Sequence, residues 1–171
     1  MSRYALDADI LALIQRAGFA KALTRLGRLP VVVTDTVWDE LTVVAESTGK
    51  VRPETLAEMQ ELLVSIAGAA TLLEPNTPES EAYAHLHPGS DAENAGEHSL
   101  IAYASQHADV TGVLFDRKAL HRAVEELRGR VLSIHGFLDV LRSQHGLSAS
   151  DAQAISQKIC AAKSVVPPLW W

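Results

Sequence analysis

Cysteine is nearly absent. Cys160 is the one thiol among 171 residues, which excludes an intrachain disulfide and any multi-thiolate zinc centre. Long apolar runs are missing as well. The longest nearly apolar stretch, Leu62 to Leu73, is far below the roughly 20 residues a membrane-spanning helix needs. The opening Met1-Ser-Arg-Tyr4 lacks the apolar core of a secretory signal. These absences predict a soluble, cytoplasmic protein with no membrane partner. Positive charge is also short: 15 Lys and Arg against 21 Asp and Glu leave a net charge of −6, which argues against nonspecific coating of nucleic acid. What remains is ordinary globular composition, 47% hydrophobic and 21% charged, so a disordered or collagen-like chain is excluded. The length suits one domain, read as residues 1–148 with a C-terminal helix and apolar tail, 149–171, packed on it.

Strands and helices alternate along the chain. A short apolar segment, Arg3-Tyr-Ala-Leu-Asp7, leads into helical spacing at Leu11, Ile14 and Ala17, then Phe19, Leu23 and Leu26, broken at Gly18 and Gly27. Pro30-Val-Val-Val-Thr34 is the continuous β-branched run of a strand buried on both faces. Asp35 can cap the next helix, whose apolar face is Val37, Trp38, Leu41 and Val44. Pro53 opens another helix with Leu56, Met59, Leu63 and Ile66 inward, and Thr77-Pro78 caps a short one through about His85. After a loop from His87 to Gly96, a helix begins at Glu97, and Asp109 to Phe115 returns as a strand. A helix marked by Ala119, Ala123 and Leu127, a strand from Arg130 to Ile134 and two further helices complete the chain. This order predicts an α/β protein with a central, mainly parallel sheet of four to five strands between helical layers.

In open parallel sheets, ligands bind beyond the carboxyl ends of the strands. Asp7 ends the first strand, Glu40 follows the second, and Asp116 ends the third; Glu97 reaches the same edge only if its helix enters from that side. Taken alone, each of these acids reads as a cap or a solvated side chain, except Asp7, since an acid closing a buried strand is poorly explained by capping alone. Together they would repel one another strongly in a cleft, and bound Mg²⁺ or Mn²⁺ would relieve that repulsion. Such a metal centre activates water against a phosphoryl group.

At these positions the chain resembles PIN-domain nucleases. The stretches that carry the likeness are Leu6-Asp-Ala-Asp-Ile10, Val33-Thr-Asp-Thr-Val-Trp-Asp-Glu-Leu41, Ala95-Gly-Glu-His-Ser-Leu-Ile-Ala102 and Val113-Leu-Phe-Asp-Arg-Lys-Ala119. With Ser133-Ile-His-Gly-Phe-Leu-Asp-Val140, they look most like the branch close to VapC toxins. The resemblance implies a PIN-like three-layer sandwich and a Mg²⁺- or Mn²⁺-dependent endoribonuclease. Asp7, Glu40, Glu97 and Asp116 then match the family's metal-binding acids, and an antitoxin protein and a homodimer become expected partners. The chain departs from the family twice. Ala8-Asp9 follows the first acid where a small hydroxyl or amide residue is common, and Leu114 stands where Ser or Thr is common. Asp9 either joins the site or caps the first helix.

Arg117, Lys118, His121 and Arg122 follow Asp116 on one helix. Lys118 and Arg122, one turn apart, can hold an RNA phosphate, or Arg122 and His121 can pair with Glu126 and Glu125 on a solvated face. His85 and His87 have no third ligand nearby in sequence and do not make a zinc site, and His98 points away from Glu97 around the helix. His121 stands out as the candidate functional histidine. Trp170 and Trp171 end an apolar tail expected to pack on the domain. Two other functions fit parts of the pattern. Asp7-Ala-Asp9 and Val31-Val-Val-Thr34 resemble the first two motifs of haloacid-dehalogenase phosphatases, but only 27 residues separate Asp7 from Thr34 and the late acid pair is missing. A PIN-like binding or assembly module without useful turnover is the non-enzymatic reading.

Overall fold

A computed structural model describes residues 2–16, 20–41, 53–71, 73–89 and 94–163. Five parallel strands form one sheet in the order β3-β2-β1-β4-β5. They are β1 Arg3–Leu6, β2 Val31–Thr34, β3 Ala67–Thr71, β4 Val110–Val113 and β5 Val131–Leu132. The central pair β1/β4 runs in register from Arg3 opposite Val110 to Leu6 opposite Val113, and β1/β2 places Tyr4 opposite Val31. All four residues of β2 are buried, as its β-branched run requires. The helices are α1 Ala8–Arg16, α2 Ala20–Arg25, α3 Asp35–Asp39, α4 Pro53–Ile66, α5 Pro78–Leu86, α6 Ala95–Gln106, α7 Arg117–Glu126, α8 Ile134–Gln144 and α9 Ala149–Lys163.

The two-residue period of a strand sends alternate side chains to opposite faces, and two cores result. Tyr4, Leu6, Val31, Val33 and Val113 meet Ile10, Leu11 and Ile14 of α1, Phe137 and Leu138 of α8, and Ile155 and Ile159 of α9. Ala5, Val32 and Val110, with Leu114 just past β4, meet Leu100, Ile101 and Ala104 of α6 and Ala119 and Ala123 of α7. The architecture is therefore a three-layer α/β sandwich. No helix among the described residues is long and apolar enough to cross a membrane.

Four local expectations are corrected. The strand β3 is absent from the sequence reading, because Ala67-Gly-Ala-Ala-Thr71 has weak β propensity and continues the apolar character of α4; its pairing with β2 decides its state. Thr34, rather than Asp35, caps α3, its hydroxyl accepting the Val37 N–H at 3.3 Å. Asp35 instead accepts the Leu73 N–H at 3.0 Å and so ties α3 to the chain beyond β3. The helix α6 starts at Ala95, two residues before Glu97, with Asn94 at its cap position. The last strand is only Val131–Leu132, because the Ser133 hydroxyl accepts the Gly136 N–H and starts α8. Val44, Ala17 to Phe19, the side chains of Leu56, Met59, Leu63 and Ile66, and the Trp170-Trp171 tail lie outside what is described.

The topology sets one reversal point, between β1 and β4, where a crevice is expected. From β1 the chain moves outward to β2 and β3, then crosses back to β4 and moves outward the other way to β5. The helices that follow β1 and β4 pack on opposite faces, α1 on the first core and α7 on the second. At such a reversal point the loops at the strands' carboxyl ends separate and leave room for a ligand.

Candidate functional site

Asp7 follows β1 directly at that crevice. Its backbone N–H still reaches the Val113 carbonyl at 3.3 Å, while its Oδ1 accepts the Ala8 N–H at 2.9 Å and its carbonyl accepts the Leu11 N–H. The residue therefore finishes the sheet and starts α1 at once, which leaves its side chain little freedom. Burial, then the charges of Asp9 and Glu40, and last that of Glu97, push its carboxyl up to about 7, against the stabilising Ala8 N–H. Asp9 lies exposed in the first turn of α1. It complements the helix dipole there, but the cap position belongs to Asp7, and Asp9's charge acts on both Asp7 and Glu40.

Glu40 keeps helical geometry at the end of α3, its N–H bonded to the Thr36 and Val37 carbonyls. One carboxylate oxygen lies so close to Gly96 that a Cβ there would overlap it, with Val37 Cγ2 alongside. A side chain at position 96 would have to push the Glu40 carboxylate aside, with Val37 Cγ2 3.3 Å from the added Cβ. Burial, followed by the charge of Asp9, raises the Glu40 carboxyl above its ordinary value.

Glu97 is held opposite by a buried relay of hydroxyls. Thr34 Oγ1 and Ser99 Oγ lie 2.6 Å apart, and Ser99 Oγ donates to the Gly96 carbonyl at 2.7 Å. Since Ser99 spends its proton on Gly96, Thr34 must donate to Ser99 while accepting from Val37. The carboxyl end of β2, the start of α3 and the first turn of α6 are thus joined, and this is what brings Glu97 to the edge that carries Asp7. Both hydroxyls are buried. Ser99→Ala should cost about 1–3 kcal/mol in urea unfolding, because it strands the buried Thr34 hydroxyl. Adding Thr34→Val should then cost less than it does alone, a coupling that a double-mutant cycle reads directly. The same engagement keeps Thr34 from the phosphate contact that a dehalogenase-type site would ask of it.

Asp116 is exposed and caps α7, accepting the Lys118 and Ala119 N–H groups at 2.7 and 3.1 Å. Its charge nevertheless raises the Glu97 carboxyl, as burial does more strongly, while Arg122 opposes both. Asp7, Glu40, Glu97 and Asp116 therefore belong to one electrostatic cluster, with Asp9 as a fifth member. Among the described residues no three of these side chains close to ligating distance as they stand.

The basic residues divide. Arg117 and Lys118 are exposed. Arg122 forms an ion pair with Glu97, Nη1 to Oε1 at 3.3 Å, in place of the pairing with Glu126 that helical spacing suggests. The same nitrogen donates to His98 Nε2. His98 is buried, and its Nδ1 lies 2.9 Å from the His87 Nδ1, with the His87 ring stacked on Tyr83. His121, singled out from the sequence, is simply exposed.

Gly96, Ser99 and His98 were not legible as site residues. The signal for Gly96 was present: a glycine inside a helical segment, next to a candidate acid, marks a close backbone approach. For His98 the angular argument separates the ring from Glu97 on the helix, yet its Nε2 meets the same Arg122 nitrogen that pairs with Glu97. What it meets there is another helix, which local spacing does not reveal. Leu114 is fully buried in the second core, so packing accounts for the apolar residue at that position. No family model, no curated protein and no solved structure matches this chain.

Proposed function

We propose that the protein is a Mg²⁺- or Mn²⁺-dependent endoribonuclease of the PIN-domain kind, with Asp7, Glu40, Glu97 and Asp116 as its metal-binding acids. One observation carries the reading: a mostly buried aspartate at the reversal point of a parallel sheet, its proton held to about pH 7 by burial and by three other acids. A merely structural cluster would gain nothing from such repulsion, whereas a cation site needs the negative potential it creates. The donors fit a hard ion, being carboxylate oxygens without thiolate or imidazole among them. When bound, the ion would supply an activated water and stabilise charge on the phosphoryl oxygens.

The chain's own residues supply the rest. Asp7, oriented by the Ala8 N–H, would face the crevice from the end of β1, and Glu40, close against Gly96, from the end of α3. Glu97 faces it from α6, and Asp116 from the cap of α7. The exposed Lys118 and Arg117 stand on the helix that Asp116 starts, so a negatively charged strand meets positive charge beside the acids. Two divalent ions would offset four of the six net negative charges, which removes much of the objection that an acidic protein raises against RNA binding. The likeness to VapC toxins adds an antitoxin and a second copy of the chain as expected partners, and a cytoplasmic location.

Purified protein incubated with end-labelled RNA should cleave it with Mg²⁺ or Mn²⁺ and stop with EDTA. Cleavage that persists in EDTA sinks the reading. Mn²⁺ titration separates the enzyme from an assembly module, which need not bind the ion. Gly96→Ala offers a sharper check. The substitution favours the helix by up to about 1 kcal/mol, yet it displaces the Glu40 carboxylate. Thermal unfolding should change little, while Mn²⁺ affinity by calorimetry falls at least about tenfold.

A further inference from the structure

Arg122 occupies two roles that exclude each other. It stands one turn beyond Lys118 on the helix that would receive an RNA phosphate, yet its guanidinium is turned to Glu97. The contact is a poor version of a charge-assisted bond: 3.3 Å, where such pairs close to about 2.7–2.9 Å. The Arg122 side chain is 45% exposed and Glu97 13%, and a pair with one partner in water is worth only about 0.2–1 kcal/mol. Little holds the guanidinium on Glu97 against a stronger competitor.

The other side of Arg122 is better fixed. Guanidinium only donates, so His98 Nε2 accepts from it and the His98 proton resides on Nδ1, where it is given to His87 Nδ1. His98 is buried, and His87 is stacked on Tyr83. The imidazole pair gives Arg122 a partner that does not depend on Glu97.

We infer that Arg122 is an exchangeable counter-ion, an inference that rests on the metal-dependent reading above. In the metal-free protein it neutralises Glu97. When a divalent cation takes Glu97, the guanidinium turns about its His98 anchor to an RNA phosphate beside Lys118. Binding is then ordered, cation before RNA, and the acids are screened until the ion arrives. The guanidinium offsets part of the repulsion on Glu97 while the protein waits.

The full-length chain with Arg122→Ala tests this by calorimetry with Mn²⁺ alone. Removing the competitor should tighten Mn²⁺ binding about fivefold, the upper end of an exposed pair's worth. The same variant should raise the KM for a single-stranded RNA about tenfold, with kcat within about threefold of wild type. It should also lower the salt slope of RNA binding by about one. His98→Leu should repeat the rise in KM, and His98→Gln, which keeps an acceptor for the guanidinium, should restore it. In the wild-type chain, Arg122 side-chain N–H resonances should shift on adding Mg²⁺ and again on adding RNA. If wild-type protein binds Mn²⁺ and cleaves RNA but Arg122→Ala leaves Mn²⁺ affinity unchanged or weaker, the counter-ion role is wrong. If wild-type protein binds no Mn²⁺, the metal-dependent reading itself has failed.

Discussion

Asp7→Asn should abolish metal-dependent RNA cleavage and, in the same molecule, make the metal-free protein more stable at pH 8. Loss of a residue that merely orients a metal ligand already costs roughly 10–100-fold, so loss of the ligand should cost at least about 100-fold. The stability gain follows from linkage. An Asp carboxyl with an ordinary value of 3.8 stands at about 7 in the folded chain. Between those values the folded state holds a proton that the unfolded state has released, so stability falls as pH rises through that window. Above pH 7 the full penalty applies, up to about 4 kcal/mol at 1.36 kcal/mol per pH unit. Asn carries no charge to bury and keeps an oxygen for the Ala8 N–H. Melting temperatures of wild type and variant in EDTA should therefore nearly coincide at pH 4, diverge up to about pH 7 and then run parallel to pH 8, with the variant higher. An unfolding curve in which the variant is the less stable at pH 8 would show that Asp7 is not under electrostatic stress.

The second large effect is the reverse of the first. Mn²⁺ should stabilise the wild-type protein at pH 7.5, by about 2.7 kcal/mol when the ion is at 100 times its dissociation constant. EDTA should remove the whole of that gain. Because an ion on Asp7 must displace the proton, affinity should fall about tenfold for each unit of pH below 7. Calorimetry at pH 7.5 and 5.5 would then differ by roughly 30-fold, and the proton released should be visible as a dependence of the binding heat on the buffer. Asp7→Asn should show neither the stabilisation nor the pH slope. A flat affinity across this range would place the ion elsewhere than on Asp7.

The architecture was largely readable in advance because it depends on patterns of short range. Val31 to Thr34 is β-branched throughout and ends as a buried parallel strand, and Leu11 and Ile14 follow the helical period and reach the core. Where local signals were weak, reading failed for a stated reason. Ala67 to Thr71 has no side chains that demand a strand, so its pairing with β2 was the deciding influence. At Asp35 the cap signal was genuine but one residue late, since Thr34 offers its hydroxyl from the better backbone position.

The candidate acids show where each source of information ends. Residue type and position relative to the strands determined that Asp7, Glu40 and Asp116 lie at one edge of a parallel sheet, because strand direction and connection handedness leave few alternatives. Sequence alone left Glu97 conditional on the direction of its helix. Only the tertiary structure decided that, through Thr34 and Ser99, whose hydroxyls join residues 65 positions apart. It also decided that Gly96 makes room for Glu40, and that Arg122 faces Glu97 and His98 instead of its own helix. Such contacts arise between elements that chain order separates, and their geometry follows from how two packed helices meet across a sheet. No periodicity within either helix carries that information.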